Sequence, residues 1–143
     1  IWIRKNQNWW NNDEGGWKSE LNEYAMRYAD VLLMLAEAKT MQGKVAEAIP
    51  LVKRIRDRAK LAVIPMTGWN QTQMMDEIMH QRNIEFAREG IHWYDLRRWG
   101  TLEKVIKASQ VGGYLNYSAK YNYFPIPESE LNNNPKMKQN ANW

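Results

Sequence analysis

The sequence contains no cysteine, which excludes disulfides and thiolate metal sites. That absence leaves the compartment open, because exported bacterial proteins can also lack cysteine. It has no apolar run of about eighteen residues, the length a transmembrane helix needs. Its two histidines, His80 and His92, stand twelve residues apart and outside any HExxH-type spacing, which is not a zinc-site pattern. It carries no Gly-rich phosphate loop, no GxSxG and no Ser/His/Asp arrangement. The residues therefore give no positive case for an enzyme and imply no metal and no cofactor. No helix-turn-helix, RNA-binding or zinc-finger signature points to nucleic acid. No strand–helix–strand alternation is visible, so the expected class is mainly α. The chain does not open with Met and shows no signal-peptide pattern, so it reads as a fragment or a processed piece.

What is present fits a soluble globular composition. The 143 residues suffice for one domain with a real core. Apolar residues make up 44% and charged residues 25%. The net charge of +4 is mild. Lys53, Arg54, Arg56, Arg58 and Lys60 supply much of the local excess; such a run could touch phosphates, but it reads as the solvated face of a helix. Tryptophan is the anomaly, with eight in the chain. Its flat apolar face and single N–H donor suit a core. They also suit stacking on the C–H faces of sugar rings.

Along the chain, residues 1–23 read as an irregular, polar, aromatic-rich lead-in. Asn11, Asn12, Asp13, Glu14, Gly15 and Gly16 are turn formers, framed by Trp9, Trp10 and Trp17. The spacing predicts a helix from about Tyr24 to Gln42, with Tyr28, Val31, Leu32, Leu35 and Ala38 at three- and four-residue steps. The nearly unbroken apolar run Val31–Leu35 predicts burial on more than one side. Gly43 should end it as a left-handed cap. A second helix is expected over Val45–Ala59, with Ala48, Val52 and Ile55 inward, joined by Leu51. Pro50 must kink it or fall near its first turns. Together these make an antiparallel hairpin whose spacing resembles one tetratricopeptide unit: Leu32, Leu35 and the small Ala36 before Gly43, and the small Ala48 after it. A single such unit cannot bury its faces alone.

Asn70 and Gln73 can form a capping box opening a third helix, Gln71–Glu89, with Met74, Met75, Ile78, Met79 and Phe86 as apolar contacts and Gly90 as its cap. Short helices are expected over His92–Trp99 and Leu102–Ala108. From Gly112 onward the chain is Tyr/Asn-rich and reads as mostly irregular, with Pro125 and Pro127 forcing an extended path. The organisation is thus a lead-in, 1–23, and a helical region, 24–143.

Three groups of residues could carry chemistry. Arg82, Glu85 and Glu89 lie at helical steps on one face. They could be a carboxylate pair for acid–base work, or an ion network pinning the third helix to the next turn with Arg97 or Arg98 as partners. The network is the preferred reading, because no nucleophile or metal set accompanies the acids. In the next helix, Trp93, Tyr94, Leu96 and Trp99 fit a short helix docked on a core, with 93, 96 and 99 along one side, His92 reads as a structural imidazole, and Asp95 should accept hydrogen bonds from backbone or Arg groups, since an unpaired buried carboxylate is too costly. Trp9, Trp10 and Trp17 differ, because no periodic pattern buries them. With Asn11, Asn12 or Asp13 to bond hydroxyls, they have the chemistry of a carbohydrate platform. Alternatively, they pack onto other parts of a longer protein.

Three blocks in order carry a family resemblance. The first is Arg27-Tyr28-Ala29-Asp30-Val31-Leu32-Leu33-Met34-Leu35-Ala36-Glu37-Ala38, followed after Gly43 by Val52-Lys53-Arg54-Ile55-Arg56-Asp57-Arg58-Ala59. The second is Gln81-Arg82-Asn83-Ile84-Glu85-Phe86-Ala87-Arg88-Glu89-Gly90, running into Trp93-Tyr94-Asp95-Leu96-Arg97-Arg98-Trp99-Gly100. The third is Tyr123-Phe124-Pro125-Ile126-Pro127 with Ser129-Glu130-Leu131, Asn134-Pro135 and Gln139-Asn140. Over roughly residues 24–143 the chain resembles the C-terminal part of the SusD/RagB family of nutrient-binding outer-membrane lipoproteins. It departs at Ile55, Gln81 and Phe86, where the family usually has Val, Glu and Leu, without disturbing the apolar and ionic pattern. The third block resembles the family's closing segment, which places Trp143 close to the natural C-terminus.

The resemblance implies a mainly α, tetratricopeptide-like helical hairpin scaffold with irregular aromatic-rich loops. It implies a non-catalytic protein on the outer-membrane cell surface, held by a lipid anchor outside this segment. Such a protein captures oligosaccharides, or in some members peptides, and passes them to a SusC-like TonB-dependent transporter. Family ligand contacts lie mostly outside the three blocks, so none transfers residue by residue. Trp9, Trp10, Asn11, Asn12 and Trp17 are the candidate ligand contacts. Arg82, Glu85, Glu89, Asp95, Arg97 and Arg98 are the candidate structural ion network. The competing reading is a helical-repeat scaffold for protein or peptide contact.

Overall fold

Asn70 opens the longest helix with a reciprocal cap. Its side chain accepts from the Gln73 N–H at 2.9 Å, while the Gln73 side chain accepts from the Asn70 N–H at 2.9 Å. Two donors with no partner inside the helix are thereby satisfied. The computed structural model describes residues 24–109, 117–141 and 143, and every regular element among them is helical. These are α1 (Tyr28–Met41), α2 (Val45–Arg58), α3 (Gln71–Glu85), α4 (His92–Arg98), α5 (Leu102–Ala108), a 3-10 turn (Ala119–Asn122) and α6 (Glu128–Asn133). The chain divides between Gly90 and Ile91 into two compact units.

In the first unit α1 and α2 form a hairpin. Tyr28 at the start of α1 accepts from Arg54 near the end of α2, and Lys39 near the end of α1 pairs with Glu47 near the start of α2. Such a pattern requires antiparallel helices. Gly43 has φ +76°, and its N–H and that of Lys44 donate to the Thr40 and Lys39 carbonyls. This left-handed closure satisfies carbonyls that the helix leaves unpaired. The α2 end closes the same way without a glycine: Lys60 takes φ +55°, and the Lys60 and Leu61 N–H groups donate to Asp57 and Arg56. Helix α2 runs through Pro50. The missing N–H leaves the Ala46 carbonyl without its helical donor, and both residues are exposed, so solvent can serve it.

Helix α3 packs on both members of the hairpin. The core is Leu33, Ala36, Ala48, Val52, Met74 and Ile78, all fully buried, with Phe86 closing one end. Burying each large side chain contributes roughly 1.5–3 kcal/mol. Ala36 and Ala48 are the small residues of the tetratricopeptide-like spacing, and both have no exposed surface.

Three boundaries or faces differ from the expectation. Helix α1 starts at Tyr28, not Tyr24, and its buried stripe is Ala29, Leu32, Leu33, Ala36 and Thr40. Tyr28, Val31, Leu35 and Ala38 are exposed, because in an almost wholly apolar run several stripes compete and neighbour packing selects one. Helix α3 ends at Glu85 rather than Glu89. There the Glu85 carbonyl accepts from Arg27 Nη2 at 3.0 Å, and Arg88 and Gly90 follow with φ +68° and +76°. The Tyr/Asn-rich tail is mostly irregular among the described residues, as expected, with the 3-10 turn and α6 as its regular pieces.

In the second unit α4 and α5 pack together. Gly100, at φ +70°, and Thr101 close α4 by donating to the Arg97 and Leu96 carbonyls. Leu96 and Leu102 are buried, whereas Trp93 and Tyr94 stay exposed, so neither of these two rings is the packed residue the sequence suggested.

Candidate functional site

Arg27 immediately precedes α1 and is the hub of the first unit. Its Nη1 donates to Glu85 Oε1 at 2.8 Å, its Nε and Nη2 to the two Glu89 oxygens at 3.0 and 2.8 Å, and Nη2 also to the Glu85 carbonyl. Arg58 reaches the second Glu85 oxygen at 2.6 Å. Beside it, Arg82 donates to Asp30 at 2.6 Å, both buried. The guanidinium groups of Arg27 and Arg82 lie 5.1 and 5.0 Å from the Phe86 ring centroid. Partial burial alone would lower the Arg27 pKa; the hydrogen bonds and charges of Glu89 and Glu85 outweigh it and hold the value above the ordinary arginine value. Both carboxylates are thus held by guanidinium donors, an arrangement that locks a helix end.

The second unit contains an open cavity of about 540 Å³. Helix α4 supplies Tyr94, Arg97 and Arg98, the following turn Gly100, and α5 Leu102 and Glu103; Tyr117, Asn122 and Tyr123 form the far wall. Asn122 is fixed twice. Its carbonyl accepts from Arg97 Nη2, and its side-chain oxygen accepts from the Tyr117 hydroxyl at 2.6 Å. Arg98 donates to the buried Asp95 at 2.8 Å and lies 4.6 Å over the Trp99 ring. Glu103 accepts from Lys107 at 2.6 Å.

The closing segment is held by side-chain amides. Pro125 and Pro127 flank Ile126, so only Ile126 has an N–H in that triplet. Gln139 accepts from that N–H at 2.8 Å and donates back to the Ile126 carbonyl at 2.9 Å. Asn140 donates to the Phe124 carbonyl at 2.7 Å. The Trp143 indole N–H lies 3.0 and 3.1 Å from the Lys120 and Tyr123 carbonyls, and the Lys120 ammonium sits 4.7 Å from the indole ring.

Among the residues singled out from sequence, Arg82, Glu85 and Glu89 come together, but around Arg27 and Asp30. Glu89 lies beyond the end of α3 and reaches Arg27 through a turn, not through helical periodicity. Asp95, Arg97 and Arg98 share α4. Trp9, Trp10, Asn11, Asn12, Asp13 and Trp17 lie outside the described residues. His80 and His92 are both exposed, and no group of metal-ligating side chains occurs among the described residues. The cavity wall of Tyr94, Asn122 and Tyr123 was not anticipated; its one sequence signal is the Tyr/Asn enrichment after Gly112.

The sequence matches the SusD family over residues 1–143. It is 33% identical to the SusD-like protein P2 of Formosa agariphila over 133 residues, 87% of this chain and 26% of that protein. It is 34% identical to the starch-binding protein SusD of Bacteroides thetaiotaomicron over 122 residues, 82% of this chain and 21% of that protein. A crystal structure of a SusD superfamily protein from Bacteroides vulgatus superposes with a TM-score of 0.78 at 43% identity, covering 88% of this chain and 28% of that one. The chain thus spans about a quarter of the length of these relatives.

Proposed function

The chain belongs to the SusD family, and from that membership we propose that it forms the C-terminal scaffold of a cell-surface glycan-binding lipoprotein. The complete protein captures oligosaccharides by aromatic stacking and amide hydrogen bonds. It makes and breaks no covalent bond. A lipid anchor outside this segment holds it at the outer membrane, where it delivers its ligand to a SusC-like TonB-dependent transporter. The observation that carries the reading is the family match along the whole chain, with a relative named as starch-binding among the similar proteins. Trp9, Trp10 and Trp17, with Asn11 and Asn12, supply the stacking platform in this proposal.

Replacing Trp9, Trp10 and Trp17 by Ala in the complete protein tests it. Oligosaccharide affinity falls by at least ten-fold if they stack on the ligand, since an aromatic contact contributes on the order of 1 kcal/mol. Unchanged affinity for every oligosaccharide that the wild type binds removes the platform. Glycan cleavage abolished by Glu85→Gln or Glu89→Gln would overturn the non-catalytic assignment.

One observation favours a second reading, a helical-repeat scaffold for protein contact. Tyr28, Val31, Met34, Leu35 and Met41 leave an exposed apolar face along α1, the kind of surface that repeat helices present to neighbours. On that reading Leu35→Glu weakens association with the transporter and leaves glycan affinity intact.

A further inference from the structure

We propose that the cavity of the second unit is a saccharide subsite that takes a sugar ring carrying a carboxylate. Its volume, about 540 Å³, falls within the range of roughly 300–1,000 Å³ common to small-molecule sites. The proposal rests on the glycan-binding reading above and adds a place and a charge to it.

The walls have the two surfaces that a sugar requires. Tyr94 and Tyr123 are 58% and 67% exposed, and they line the cavity from separate parts of the chain. A phenol ring offers a flat apolar face to the C–H groups of a pyranose and a hydroxyl to its rim. Neither tyrosine hydroxyl is used in a hydrogen bond among the described residues.

Asn122 supplies directed polarity. Both its oxygens are occupied, the carbonyl by Arg97 and the side-chain oxygen by the Tyr117 hydroxyl. In this orientation of the amide the oxygen is turned to the Tyr117 hydroxyl. The remaining side-chain group is the NH₂, a pure donor, with no partner among the described residues. A donor left over on a cavity wall favours an acceptor-rich ligand.

The charge balance selects an acid. Asp95 lies with Arg98 at 2.8 Å, and Glu103 with Lys107 at 2.6 Å, so these four charges offset one another. Arg97 donates to a neutral carbonyl and joins no ion pair among the described residues. Among the described residues the cavity wall therefore carries one guanidinium outside any ion pair, whose planar fork matches a carboxylate.

Isothermal titration of the complete protein with an oligogalacturonide and with a neutral gluco-oligosaccharide of equal length provides the test. The acidic oligomer is expected to bind at least ten-fold tighter at low salt, and the advantage shrinks as salt is added. Arg97→Gln abolishes that preference, and Arg97→Lys keeps part of it. Tyr94→Ala, at an exposed position that leaves the fold intact, weakens binding about ten-fold. A sulfated neutral oligosaccharide in a third titration separates carboxylate recognition from attraction to any anion; equal binding of both acids overturns the carboxylate assignment. Neutral binding that is unaffected by Tyr94→Ala and Arg97→Gln overturns the subsite and leaves the glycan-binding reading standing. Failure of the wild type to bind any oligosaccharide overturns both.

Discussion

Arg27 Nη1 lies 2.8 Å from Glu85 Oε1, joining the residue ahead of α1 to the last residue of α3, 58 positions away in sequence. The same guanidinium takes both oxygens of Glu89 and the Glu85 carbonyl. One planar cation thus ends one helix, begins another and holds the turn between Glu85 and Gly90.

Removing that hub is expected to destabilise the protein by about 3 kcal/mol, because the buried Glu85 would keep Arg58 but lose one of its guanidinium partners, and Glu89 would lose its forked contact. Arg27→Lys should recover less than half of the loss, since an ammonium cannot repeat a forked set of bonds to two carboxylates and a carbonyl. Urea unfolding of Arg27→Ala and Arg27→Lys against wild type measures both. Equal stability of all three would refute the hub.

Ala36 and Ala48 have no exposed surface, and a larger side chain at either must push α1 and α2 apart. Ala48→Leu is expected to cost about 1–3 kcal/mol through overpacking. Ala38→Leu, on the exposed face of α1, should change stability by less than about 0.5 kcal/mol. Thermal denaturation of the pair distinguishes a packing constraint at the small residue from a general intolerance of leucine in the hairpin.

Gln139 exchanges two hydrogen bonds with Ile126. Gln139→Glu is expected to cost about 2 kcal/mol, because a carboxylate cannot donate to the Ile126 carbonyl and would face it with a charge. Faster amide exchange at Ile126, read by hydrogen–deuterium exchange, should accompany the loss. Unaltered protection there would show that the prolines alone hold the segment.

The hydrogen bond from Lys39, at 2.6 Å, holds the Glu47 carboxyl below the ordinary glutamate pKa, with the Lys39 and Lys44 charges adding to the effect against slight desolvation. A carboxyl depressed on folding contributes stability above its unfolded pKa, and that contribution is lost as pH falls through the folded value. Lys39→Met should therefore raise the Glu47 pKa in a carboxyl carbon-13 titration and flatten the acid limb of the stability profile. Because the pair is exposed, added salt should mimic the substitution in wild type.

Much of the helical plan was legible in local chemistry. Asn70 and Gln73 announced the α3 cap, Gly43 announced the hairpin turn, and Ala48, Val52 and Ile55 announced the inner face of α2; each depends on residues within a few positions of one another. The inner face of α1 was less legible, because Val31 to Leu35 offers apolar side chains in every direction and only contact with α2 and α3 selects Leu32, Leu33 and Ala36. Periodicity also ran α3 on to Glu89, whereas the carbonyl of Glu85 is taken by a side chain remote in sequence. The cavity wall was still harder to foresee, since Tyr94 and Asn122 belong to separate elements and neither stands in a spacing that marks a site.

By itself, then, the sequence determined the mainly helical class, the α1–α2 hairpin with its Gly43 turn, the Asn70–Gln73 cap and the family, because turn formers, capping pairs and ordered motif blocks act locally or in linear order. Only the tertiary structure decided that Arg27 is the partner of Glu85 and Glu89, that Arg82 serves Asp30, and that Arg97 and Tyr117 converge on Asn122. Those choices depend on which distant groups the packed helices bring within about 3 Å, where a hydrogen bond is strong and a missing one is costly.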